Sequence, residues 1–113
     1  MCGKNELTII LNELGKIYRE VYGEDIVSIL LYGSYARGDN MEDSDIDVVA
    51  IVKGDRINLQ NKLKKVWDLS FDLGLEYETV LSPTVIPYDE YVKYKDDIPY
   101  YKNIEREGVS IVA

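Results

Sequence analysis

Apolar and polar positions follow two different periods along this chain, and each change of period marks an element. Ile10, Leu14, Ile17 and Val21 recur at helical spacing, with Asn12, Glu13, Lys16, Arg19 and Glu20 mostly between them. That predicts an amphipathic helix ending near Gly23. Ile26–Tyr32 is rich in Ile, Leu and Val and is stopped by Gly33, which predicts a buried strand. Residues 34–43 are polar, with Gly38, Asp39 and Asn40, and predict a short loop with room for one helical turn. Ile46–Val52 predicts a second buried strand, after which Lys53-Gly54-Asp55 turns the chain. Asn58 is placed to cap a second helix with Leu59, Leu63, Val66, Trp67 and Ser70 on its inner face and Gly74 at its end. Residues 75–81, LEYETVL, set Leu75, Tyr77, Thr79 and Leu81 against Glu76, Glu78 and Val80, the alternation of a third strand. Pro83 and Pro87 make the next stretch an edge or a connection. Residues 89–95 predict a short helix, and Pro99 and Gly108 bracket another. The apolar end, VSIVA, is expected to pack back on the body.

This order predicts an α/β fold, a small sheet with helices packed mainly on one side. At 113 residues one domain, 1–113, is expected. No repeat or low-complexity segment interrupts it.

Composition narrows the chemistry. A net charge of −8 argues against gripping a nucleic-acid backbone, because no basic patch exists to displace counterions. A nucleotide held through cations is compatible with that charge, since the ions reverse the local sign. There is no histidine, so catalysis has to use carboxylates, hydroxyls, lysines or a bound metal. One cysteine, Cys2, permits no internal disulfide and fits a reducing, cytoplasmic setting. The start, MCGKNELTII, does not read as a signal peptide, and the longest apolar run is too short for a membrane span. Ten tyrosines read as surface and interface packing, and with the edge strand they leave room for self-association.

The informative stretch is LLYGSYARGDNMEDSDIDVVAIV. Asp45 and Asp47 are two apart at the mouth of a strand, so both carboxylates lean to one side while Ile46 enters the core. Close carboxylates repel, and a divalent cation between them resolves the conflict. Mg²⁺ favours one or two carboxylates plus substrate phosphates. A second ion on the same pair gives the arrangement used for in-line phosphoryl displacement. Gly33 permits a sharp strand exit and close approach of a phosphate, Ser34 offers a hydroxyl and an N–H, and Arg37 a forked donor. Alone, a D-x-D is usually turn chemistry and Arg37 a surface charge. Together, each piece supplies what the others lack, between two buried strands.

These residues resemble the G-S-x-A-R-G…S-D-x-D signature of the minimal nucleotidyltransferases, relatives of DNA polymerase beta and kanamycin nucleotidyltransferase. Gly33, Ser34, Ala36, Arg37, Gly38, Ser44, Asp45 and Asp47 fall on the pattern, and the tail YYKNIEREGVSIVA is similar to the group's ending. The resemblance implies a nucleotidyltransferase fold with a mixed sheet. It also implies transfer of a nucleoside monophosphate, AMP from ATP, to a hydroxyl. Two Mg²⁺ would be held by Asp45 and Asp47, with Gly33, Ser34, Arg37 and Ser44 on the nucleotide. The family adds a third, usually aspartate, carboxylate from a neighbouring strand. Here Glu76 and Glu78 are available, and Glu78 is the expected catalytic and metal-binding residue because it lies just ahead of the apolar end. Stand-alone domains of this kind resemble antitoxins paired with HEPN toxins, which implies a tyrosine of such a toxin as acceptor and a hetero-oligomer. Two alternatives stand beside this: an antitoxin that neutralises by binding alone, and a transferase acting on a small molecule such as an aminoglycoside.

Overall fold

The computed structural model describes residues 4–41 and 44–111; Cys2 lies outside them. Helix α1 spans Lys4–Tyr22 and leads through a 3₁₀ turn into β1, Ile26–Tyr32. A single-turn helix α2, Ser34–Arg37, precedes β2, Ile46–Val52. Then come α3, Arg56–Glu76, and β3, Leu81–Pro87. The chain ends with α4, Tyr88–Tyr94, α5, Pro99–Glu107, and a short β4, Val109–Ser110. The sheet order is β3-β2-β1-β4, with β2 and β3 parallel and the other pairs antiparallel. The expected mixed α/β architecture is therefore present.

Alternation along β2 divides the interior. Ile46, Val48, Ala50 and Val52 face α1 and α3 and join Ile10, Leu14, Tyr18, Leu59, Leu63 and Val66 in the larger core. Val49 belongs to the opposite face, where it meets Ile86 of β3 and Tyr101 and Ile104 of α5. Because α5 covers only part of that face, the start of β2 is left open there. Of the expected apolar tail, β4 pairs with Leu30 and Leu31 and Ile111 reaches the larger core, while its last two residues lie outside the described ones.

Four tyrosines, Tyr18, Tyr22, Tyr35 and Tyr101, are buried and depart from the surface role expected of them. Tyr18 is fully buried and its hydroxyl donates to the Thr84 carbonyl at 2.8 Å, tying α1 to β3. Tyr22 donates to the Leu59 carbonyl at 2.7 Å, and burial pushes its hydroxyl up to about 12. A phenol is tolerated inside when its O–H finds an acceptor.

The expected strand at residues 75–81 does not form. α3 continues through Glu76, and the strand begins only at Leu81. Val66, Ser70, Leu73 and Tyr77 carry the helical period inward, and this longer buried stripe outweighs a short alternation. The cap also differs: Asp55 caps α3, accepting from the Asn58 N–H at 3.1 Å. Gly74 does not end the helix. It is buried inside it, where an added Cβ would lie 2.7 Å from the Thr79 carbonyl oxygen. Gly74→Ala is therefore expected to destabilise by about 1–3 kcal/mol despite alanine's better helix propensity. Denaturant melts check this.

Candidate active site

β1 leaves the sheet at Gly33, whose φ of 78° lies in the left-handed region that side chains disfavour. The chain then enters α2, where the Ala36 and Arg37 N–H groups both donate to the Gly33 carbonyl. Space requires glycine here as well. A Cβ at Gly33 would sit 2.6 Å from Asp47 Oδ2, so the carboxylate rests against this turn. The GS turn and the second aspartate of the D-x-D are thus one packed unit. Arg37 closes α2, exposed, with Nε 3.2 Å from Asp39 Oδ2. Ser44 precedes Asp45, and its Oγ accepts from the Met41 N–H at 2.7 Å.

Register places Asp47 between Tyr32 of β1 and Ser82 of β3. Together with Thr84 and Tyr100 these residues line a cavity of about 180 Å³ on the partly covered face. The Tyr100 ring meets the Tyr32 ring edge-on at 5.7 Å between centroids. Its hydroxyl contacts the Thr84 side chain, and burial pushes it above its usual range. Asp45, one step before β2, is exposed, and its charge acts on Asp47.

The electrostatics match two crowded carboxylates. Burial pushes the Asp47 carboxyl above its ordinary value, the Asp45 charge adds to that, and Arg37 opposes it. Desolvation and a like charge both disfavour ionisation. A cation shared by the two would remove the cost.

The strand expected to carry Glu78 is absent. The sequence pattern puts Glu78 on the same face of a strand as Glu76, but it occupies the turn after α3 with φ 53°. Glu76 is the last residue of α3. Among the described residues, no three acidic, histidine or cysteine side chains gather as a metal cluster. The β3 residue in register with Asp47 is Ser82. Accordingly, Glu78→Gln is expected to leave the affinity for Mn²⁺ unchanged by calorimetry, whereas Asp45→Asn lowers it.

Ser82, Thr84, Tyr32 and Tyr100 do not stand out in the sequence. The signal for Ser82 and Thr84 is their alternation with Pro83 and Val85, and the prolines mask it.

The donor set fits a divalent cation of the Mg²⁺ type. Two carboxylates converge at the strand mouth, with hydroxyls beside them, and such an ion completes its shell with water and phosphate oxygens. Asp45 and Asp47 would hold it.

Comparison with known proteins gives a consistent picture. Residues 9–110 match the family described as Nucleotidyltransferase domain. Two proteins of Methanocaldococcus jannaschii bearing the name "Putative protein adenylyltransferase" are similar in sequence. MJ0141 is 29% identical over 96 residues, 85% of this chain and 95% of its own length. MJ0604 is 31% identical over 98 residues, 87% of this chain and 90% of its own. Among solved structures, a toxin–antitoxin with AMP-PNP superposes with a TM-score of 0.52 at 18% identity, covering 96% of this chain and 73% of that one. A mutant of the MntA-HpeT toxin–antitoxin gives a TM-score of 0.55 at 16% identity, covering 91% and 73%. At these identities the two structures attest the fold.

Proposed function

The chain belongs to the nucleotidyltransferase domain family, and on that premise we propose that it transfers AMP from ATP to a hydroxyl of a partner protein. The partner is a toxin, the acceptor is a tyrosine of a HEPN-type fold, and the chain acts as its antitoxin. The observation that carries this reading is the packing of Asp47 against the Gly33-Ser34 turn, with Asp45 beside it. That arrangement puts a phosphate cradle and a cation-binding pair in one place.

The residues divide the work. Gly33 and Ser34 hold the β- and γ-phosphates at the start of α2, and Arg37 offsets their charge. Ser44 keeps the loop closed so that Asp45 stays beside Asp47. The two aspartates would hold Mg²⁺, which would supply neutralisation of the developing phosphate charge. The acceptor oxygen forms a bond to the α-phosphorus, the bond from that phosphorus to the α–β bridging oxygen breaks, and pyrophosphate leaves. The hydroxyl proton is released to water, since β3 offers Ser82 and Thr84 in place of a carboxylate. Catalysis in such displacements is mostly positioning and charge stabilisation.

The same hydroxyl row favours a second reading, an antitoxin that neutralises its toxin by binding with little or no transfer. One experiment separates them. The purified chain is mixed with the protein encoded beside it, Mg²⁺ and ATP labelled at the α-phosphate, with Asp45→Asn in parallel. Label on the neighbour that vanishes in the variant is the expected result. A stable complex without label supports the second reading. Neither label nor complex overturns both.

A further inference from the structure

On the far side of β3 from the rest of the sheet lies an apolar groove of about 500 Å³ between that strand and α3. Trp67, Phe71 and Leu75 form one wall, at successive four-residue steps of α3, and Val80, Leu81 and Pro83 the other. Trp67, Phe71, Leu75 and Val80 are each more than half exposed. Single exposed apolar residues are ordinary, but four around one groove mark a surface meant to be covered. The floor is open because it is made by Ser70 and by Gly74, which carries no side chain.

Two observations say what covers it. A strand is a poor occupant. The Val80 carbonyl faces β2, accepting from the Ile46 N–H at 2.9 Å, so alternation turns residues 81, 83, 85 and 87 outward. Pro83 and Pro87 have no N–H to give, and the Pro83 carbonyl already accepts from the Trp67 indole at 2.8 Å. A second copy is also disfavoured. Asp68, Asp72 and Glu76 form an exposed stripe next to Trp67, Phe71 and Leu75. A twofold pairing of α3 with itself would bring these carboxylates face to face. The surface instead suits an amphipathic helix whose apolar stripe is bordered by lysine or arginine.

Position links the groove to the site. Ser82 and Thr84 line both the groove and the cavity that contains Asp47. A helix seated against α3 therefore lies one strand away from the aspartate, close enough for its neighbouring segment to carry a hydroxyl over β3. We propose that this groove is where the acceptor protein docks, through a basic-flanked amphipathic helix. This rests on the reading of the chain as an AMP transferase with a protein acceptor, and it supplies the acceptor recognition that Asp45 and Asp47 cannot.

The test uses Phe71→Asp and Leu75→Asp, both at solvent-exposed positions, and leaves Trp67 in place because its indole holds β3. Asp68→Lys/Asp72→Lys probes the acidic border. The probe is the purified protein encoded beside this chain, with affinity read by calorimetry at low and high salt. Phe71→Asp and Leu75→Asp are expected to weaken binding about 30-fold or more, as at other interface hot spots. KM for the acceptor rises by a similar factor, while kcat, ATP affinity and the melting temperature stay unchanged. Asp68→Lys/Asp72→Lys is expected to weaken binding and flatten its salt dependence. Unchanged affinity in both apolar variants overturns the proposal. So does a parent chain that sediments as a dimer and becomes monomeric in Phe71→Asp, which assigns the groove to a second copy. If the parent binds the neighbour but transfers no label, the transferase reading fails while the affinities still decide the docking site.

Discussion

Asp47→Asn is expected to lower AMP transfer by about 100-fold or more, the scale of losing one preorganised charge-stabilising group, while the protein folds normally. The geometry gives the reason. Asp47 is the carboxylate that touches the Gly33 turn and stands between Tyr32 and Ser82. Stability should move the other way. In a chelating buffer at neutral pH, the variant melts at a higher temperature than the parent. Burial first, and then the Asp45 charge, place the Asp47 carboxyl above its ordinary value in the fold. The folded chain therefore holds that proton more tightly than the unfolded chain, and the cost of the ionised carboxylate is fully present at neutral pH. That cost fades as the pH falls through the raised folded value, and the difference in melting closes near the ordinary 3.8. Adding Mg²⁺ with ATP should raise the melting temperature of the parent and have little effect on the variant. A variant that retains full transfer removes the metal-pair assignment.

Gly33→Ala is expected to damage both stability and activity, and Gly38→Ala stability alone. The two glycines share a left-handed backbone, φ 78° and 82°. Alanine in that region costs about 1–2 kcal/mol at either place. Their surroundings differ: a Cβ added at Gly38 would meet no atom within 4 Å, whereas one added at Gly33 would meet Asp47 Oδ2 at 2.6 Å. A methyl group at Gly33 has to push either the turn or the carboxylate aside. A displacement of about 1 Å in such a site costs about 100-fold in rate. Initial transfer rates and thermal melts of the two variants decide the matter. Equal activities would mean that the contact between Gly33 and Asp47 has no catalytic role.

The legible elements are those whose pattern is local. α1 shows in Ile10, Leu14, Ile17 and Val21, β2 in a continuous apolar run, because burial on both faces removes polar positions, and β1 in an apolar run of which only Ile29 and Leu31 are fully buried. The GS turn, Arg37 and the Asp45–Asp47 pair are equally visible, since chemistry of that kind uses neighbours in sequence. β3 is not legible. Its prolines look like breakers, and only its place at the sheet edge makes their missing N–H groups harmless. The alternation at residues 75–81 is genuine but short, and the longer helical stripe of α3 overrides it.

By itself the sequence determined the two central strands, the glycine-serine turn and the carboxylate pair. Each depends on residues within a few positions of one another, where backbone geometry alone sets direction. Only the tertiary structure decided what stands across from Asp47. Parallel pairing of β2 with β3 brings Ser82 there, and the packing of α5 adds Tyr100. Such contacts join residues dozens of positions apart, and the register that selects them comes from burial of the whole sheet.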